Sequence, residues 1–164
     1  MSYIILSNSP EPGAIATGKV CLYVGSDGRH YIKSSTGVVT ALMPPEESGL
    51  NFIIGTGVSV ISTGVRGHFL IPFNCRIEQA TILALVSGSI VLDLWRDTYA
   101  NFPPTAADSI CGTSKPTLVS TNRSQDSTLS GWSTNLVRGD ILAVNVDSAS
   151  TVTQVTLALL LRRT

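Results

Sequence analysis

The sequence predicts an all-β chain: a small N-terminal β-hairpin or meander module followed by a jelly-roll-like antiparallel β-sandwich. Three observations carry that expectation. Beyond Leu50 the apolar runs are short, rich in Val, Ile, Leu and Thr, and punctuated by Gly and Ser. Two runs alternate with period two, Ile90, Leu92 and Leu94 in one and Val155, Leu157, Leu159 and Leu161 in the other. That spacing places side chains on one face of a strand. Many short strands with turn residues between them also favour a sandwich or jelly roll over βαβ units.

Taken in order, Tyr3 to Leu6 is a short apolar strand candidate, followed by a Pro- and Gly-rich stretch that suits an extended linker to residue 17. Residues 18–43 form the small β-module. Val20 to Val24 and His30 to Lys33 flank Asp27-Gly28, and Ser35-Thr36-Gly37 leads into Val38 to Leu42. Gly after Asp tolerates positive φ, so a tight meander is expected. Residues 44–50 are the expected linker, because Pro44 and Pro45 remove consecutive backbone donors. The sandwich is expected over 51–164. Its strands are Phe52 to Ile54, Val58 to Thr63, His68 to Ile71, Arg76 to Val86, Ile90 to Trp95, Ile141 to Val146 and Val152 to Leu161. Ser87-Gly88-Ser89 separates two of them, and Arg96 to Ser130 is a long polar insertion in which Pro104 to Ile110 could make one helical turn.

Composition narrows the function classes. Of 164 residues only 13% are charged, against roughly 25% in a typical soluble domain. Ser, Thr, Asn and Gly replace the missing charge, which suits hydroxyl-rich sheets or surfaces covered by neighbouring subunits. Eleven basic and eleven acidic side chains cancel, so no nucleic-acid partner is expected. The apolar runs fall far short of the roughly 20 residues of a spanning helix, so no membrane insertion is expected. The N-terminus lacks the positive lead-in of a secretory signal. Cys21, Cys75 and Cys111 are too far apart for a metal knuckle and read as buried thiols of a chain made in the cytoplasm.

Two stretches carry a resemblance. Gly88-Ser89-Ile90-Val91-Leu92-Asp93-Leu94-Trp95-Arg96-Asp97-Thr98-Tyr99, running on to Phe102-Pro103-Pro104, is the first. Ser127 to Trp132 and Gly139 to Ser148 are the second. Together they resemble the C-terminal β-sandwich of tailed-bacteriophage virion proteins, namely tail-fibre, minor structural, capsid decoration and head-fibre proteins. Gly18-Lys19-Val20, Tyr23, Asp27-Gly28, Tyr31, Lys33 and Gly37 look like a small β-module of phage appendages.

The resemblance implies a non-enzymatic virion protein, made in the host cytoplasm, that forms homo-oligomers, typically trimers. Its implied partners are a major capsid protein or a tail or baseplate protein. Absence of a shaft repeat favours a capsid decoration, cement or head-fibre role. A short tail-fibre or baseplate protein that recognises a host glycan or protein is the alternative.

Chemistry-bearing residues give no constellation. Asp93, beside an apolar run, is expected to pair with an arginine or accept backbone donors. Asp97, Asp108, Asp126, Asp140 and Asp147 are spread over loops without the ligand spacing of an EF-hand. His30 and His68 lack a second ligand at zinc spacing. No Gly-x-Ser-x-Gly elbow or phosphate loop occurs. No catalytic residue, metal site or cofactor is therefore expected. Two sets of contact residues are. Tyr3, Ile4, Ile5 and Leu6 are the candidate anchor, able to add a strand to a partner. Tyr99, Phe102, Pro103 and Pro104 are the candidate interface or receptor contact, unless the two rings merely plug the end of the sandwich.

Overall fold

A computed structural model describes residues 6–7, 11–42 and 46–164. Every element in it except two short 3₁₀ turns is a strand, as the sequence predicts. The chain divides into two compact units, Met1–Glu46 and Glu47–Thr164. In the first, β2 (Val20–Val24), β3 (His30–Ser34) and β4 (Val39–Ala41) form the expected meander, and β1 (Leu6–Ser7) joins β2 in parallel. The turn chemistry works as the sequence suggests. Gly28 and Gly37 adopt φ of 75° and 84°, and Ser34 Oγ accepts from Val38 N. Tyr23 is buried and stacks on Tyr31 at 5.6 Å, and Tyr31 donates to Asp27 at 2.7 Å. Lys33 fastens the preceding chain by reaching Glu11 at 2.9 Å and the Pro12 carbonyl at 2.7 Å.

The second unit is a curled, open sheet in the order β5-β11-β7-β10-β6. Its strands are β5 (Glu47–Ile54), β6 (Gly64–Leu70), β7 (Cys75–Asp97), β8 (Thr117–Asp126), β9 (Asn135–Leu136), β10 (Ile141–Ser150) and β11 (Val155–Arg163). Strands β10 and β11 run in succession against the one long strand β7, Ile141 opposite Asp97 and Arg163 opposite Cys75. On their other side they meet β6 and β5 in turn. The far side of β7 takes β8 and β9.

Strands β7 and β8 and the junction of β10 with β11 bend beside one another around Gly88. Thr151 lies in the left-handed region at φ 64° between β10 and β11, and Ser120 does so at 50° within β8. Such values are uncommon for any residue but glycine, and rarer still for a β-branched one such as Thr151. Gly88 sits at the bend inside β7, where an added Cβ would sit 2.3 Å from Thr151 Oγ1 and 2.7 Å from the Ser150 carbonyl. Gly55 follows β5 at φ 90°, with its would-be Cβ 2.3 Å from the Thr153 carbonyl. Only glycine permits backbones to approach so closely.

The core lies inside the curl. Ile90, Leu92 and Leu94 of β7 are buried with Val155, Leu157, Leu159 and Leu161 of β11 and Leu142, Val144 and Val146 of β10. Each such side chain contributes about 1.5–3 kcal/mol relative to its exposed state. The cysteines are buried as expected, and no disulfide links them.

Four expectations need correction. Ser87-Gly88-Ser89 is a bend within β7 and not a turn, because its backbone stays paired on both flanks. Residues 47–50 belong to β5, since Leu50 is buried and Glu47 to Leu50 pair with Leu159 to Arg162. Val58 to Thr63 forms no strand: Gly57 and Ile61 donate to the Thr153 and Val152 carbonyls across the bend, leaving Val58 and Val60 exposed. Arg96 to Ser130 is not one polar connection, for it holds the end of β7 and the ten-residue edge strand β8. The single turn expected within Pro104 to Ile110 is present at Ala106–Asp108.

Candidate functional site

The outer face of β7 and β10 carries the densest polar cluster. Asp93 points away from the core yet is only 2% exposed. Its carboxylate accepts from Ser109 Oγ at 2.6 Å and Trp95 Nε1 at 2.9 Å, and pairs with Lys115 Nζ at 2.9 Å. Lys115 also pairs with Asp147 at 2.7 Å, and Asn145 Nδ2 donates to Asp147 at 2.7 Å. Burial alone would raise the Asp93 pKa. The hydrogen bonds from Ser109, Lys115 and Trp95 outweigh it and hold the carboxyl below its ordinary value. The same contacts, Asp147 first and Asp93 second, hold Lys115 well above the usual ammonium range. Burial pushes neighbouring Cys111 up to about 12, so this thiol stays protonated. The partners of Asp93 are thus a lysine and two further side-chain donors, where the sequence suggests an arginine or backbone.

The other loop carboxylates serve local backbone. Asp97 accepts from Thr98 N, Asp108 forms a capping box with Thr105, Asp126 Oδ1 accepts from Thr128 N and Leu129 N, and Asp140 accepts from Val137 N. Among the described residues no three His, Cys, Asp or Glu side chains gather as a metal site would need.

The contact residues expected from sequence fall apart into different environments. Tyr99 is 79% exposed, while Phe102 meets the His68 ring edge-on at 4.9 Å and Pro104 is buried. Pro103 is exposed. Of the anchor residues, Leu6 belongs to β1, whose partner is β2 of the same chain. Tyr3, Ile4 and Ile5 lie outside the described residues.

Two further features stand out. One is a bare apolar face. The register sets Ile53, Thr156, Leu83 and Arg123 side by side, and next to them Asn51, Ala158, Thr81 and Gln125. Ile53 is 72% exposed and Leu83 51%, with Leu85 and Val58 open nearby. In these rows Arg123 is the one charged side chain. The signal was present as the apolar run Thr81 to Val86, whose outward half nothing in the second unit covers.

The other feature is a recess of about 210 Å³ beside the inner face of β8, lined by Ile82, Ser114, Lys115, Pro116, Ser124, Asp126 and Trp132 among others. Trp132 is half-buried there, its Nε1 donating to the Ser114 carbonyl at 2.8 Å. Comparison with known proteins finds no match to this chain: no family model, no curated protein and no solved structure.

Proposed function

We propose that this chain is a non-enzymatic bacteriophage structural protein, a capsid decoration, cement or head-fibre protein. In this reading it attaches through its N-terminal region and forms a homotrimer through the second unit, whose curled sheet closes as a jelly-roll-like sandwich. The supporting observation is the bare face of β5, β11 and β7. Contiguous exposed apolar surface marks interaction sites, and a face with so little charge is matched by another neutral face. A second copy of this chain, formally neutral overall, supplies matching apolar surface. The resemblance of residues 88–104, 127–132 and 139–148 to phage virion proteins suggests the setting.

A second reading, a short tail-fibre or baseplate protein, draws on the exposed Tyr99. An aromatic ring held in solvent on a loop suits recognition of a host glycan or protein.

Gold-labelled antibody against this chain, imaged on purified particles, tests both. Label over the head supports decoration, label at the tail end supports the second reading, and unlabelled particles refute a virion role. Sedimentation of the purified chain tests the trimer, which a monomer at high concentration would exclude. A chain lacking Met1–Ser9 should still fold but fail to join particles.

A further inference from the structure

We propose that the recess beside β8 is a subsite for one neutral saccharide ring, part of a longer glycan whose remainder stays in solvent. The lining is amphipathic in the way a sugar requires. Half-buried Trp132 offers apolar surface for the C–H face of a pyranose over a floor of buried Ile82 and Pro116, and the indole is held in place by its bond to the Ser114 carbonyl.

Ser114, Ser124 and Asp126 add half-buried polar side chains to the same recess. Asp126 Oδ1 is engaged by Thr128 N at 2.8 Å and Leu129 N at 3.2 Å, which holds the carboxylate in place beside the recess. A few convergent polar groups over an apolar floor are the mark of a ligand site.

Charge and size select the ligand. Lys115 is neutralised by Asp93 and Asp147, so the ammonium offers a spare proton to a hydroxyl without attracting an anion. Asp126 would repel a phosphate or carboxylate. At about 210 Å³ the recess falls below the roughly 300 Å³ at which whole drug-sized ligands are enclosed. A single ring fits that limit, and it would bind weakly, gaining strength only when several copies engage one glycan.

The inference goes beyond a structural role and stands whatever the location of the chain in a particle. The test is a titration of the ¹⁵N-labelled full-length chain with galactose, rhamnose and N-acetylglucosamine. Binding should shift the Trp132 indole N–H and the Ser124 amide, and saturation should transfer to the sugar ring protons. Ser124→Arg, a substitution on an edge strand, should fill the recess and weaken the effect at least tenfold. Asp126→Asn keeps an oxygen to accept the two backbone donors and should weaken it less. Absence of shifts with all three sugars would overturn the proposal, as would shifts that persist undiminished in folded Ser124→Arg. The immunogold result does not enter either outcome, so the two readings fail separately.

Discussion

On the outer face of β10, Ile141, Ala143 and Asn145 are buried almost as deeply as the core-facing Leu142, Val144 and Val146. On β11, Thr156, Ala158 and Leu160 stay half-open between four buried neighbours. Both strands run along the same β7, and both turn one face to the same core. What differs is cover. Over β10 the chain from Thr98 to Pro116 returns, sets Phe102 on His68 and lashes Ser109 and Lys115 to Asp93. Over β11 nothing in the second unit returns. One half of the curl is finished within the chain and the other presents an apolar face to whatever lies outside. A single sheet can thus hold a self-sufficient half and a half suited to association.

The sharpest way to break that contrast is to place the same charge on each face. Ala143→Asp puts a carboxylate at a fully buried position, between His68 and Trp95 in register. It should cost about 4–5 kcal/mol or more, the range reached by burying an unpaired charge. Leu83→Asp puts it on the bare face and should change the stability of the unassociated chain by no more than about 0.5 kcal/mol. The second substitution should instead dissociate the oligomer. Urea denaturation followed by tryptophan fluorescence reads the first effect, and sedimentation reads the second. Equal destabilisation by both would mean that the β11 face is covered after all.

The next largest effect concerns the lashing itself. Asp93→Asn weakens the tie to Lys115 and should cost about 3 kcal/mol, the lower end for a broken buried pair, since Lys115 keeps some solvent and Asp147. The acid dependence follows from the sign of the shift. The folded carboxyl titrates below its ordinary value of 3.8. Its contribution is therefore complete above the unfolded pKa and is lost as pH falls through the lower, folded one. Stability of the native chain should drop below about pH 4. The Asn variant should show a shallower fall across that range. A parallel fall in both chains would remove Asp93 from the account.

The same contrast explains what could be read in advance. Alternation in β11 was legible because one face is buried and the other half-open, and in Ile90 to Leu94 because outward Asp93 is polar although it too is buried. Strand β8 was hidden. From Thr117 to Asp126 only Leu118 is buried, and an edge strand held by backbone pairing to β7 needs no apolar stripe. Val58 to Thr63 misled for the opposite reason, its alternation reflecting exposed valines around the buried Ile61 and not a ladder. A glycine flanked by serines signals close backbone approach and chain reversal alike, so Gly88 read as a turn until its neighbours across the bend were known. The Asp93 cluster joins β7, a loop and β10, and no local spacing announces a contact of that kind. Its acid was visible and its partners were not.

The smallest expected effects separate the residues of the Tyr99 to Pro104 loop. Phe102 touches His68 edge-on, a contact worth about 0.5–1.5 kcal/mol beyond the area it covers. Phe102→Ala should lower stability by about 1 kcal/mol. Tyr99→Ala removes a ring that is mostly in solvent and should lie within about 0.5 kcal/mol of the native chain. If the loop only finishes the covered half, neither change should alter attachment to cells or particles. Loss of binding in Tyr99→Ala at unchanged stability would show that the covered half also meets a partner. Association would then no longer belong to the bare face alone, and the division of labour between the two halves would have to be redrawn.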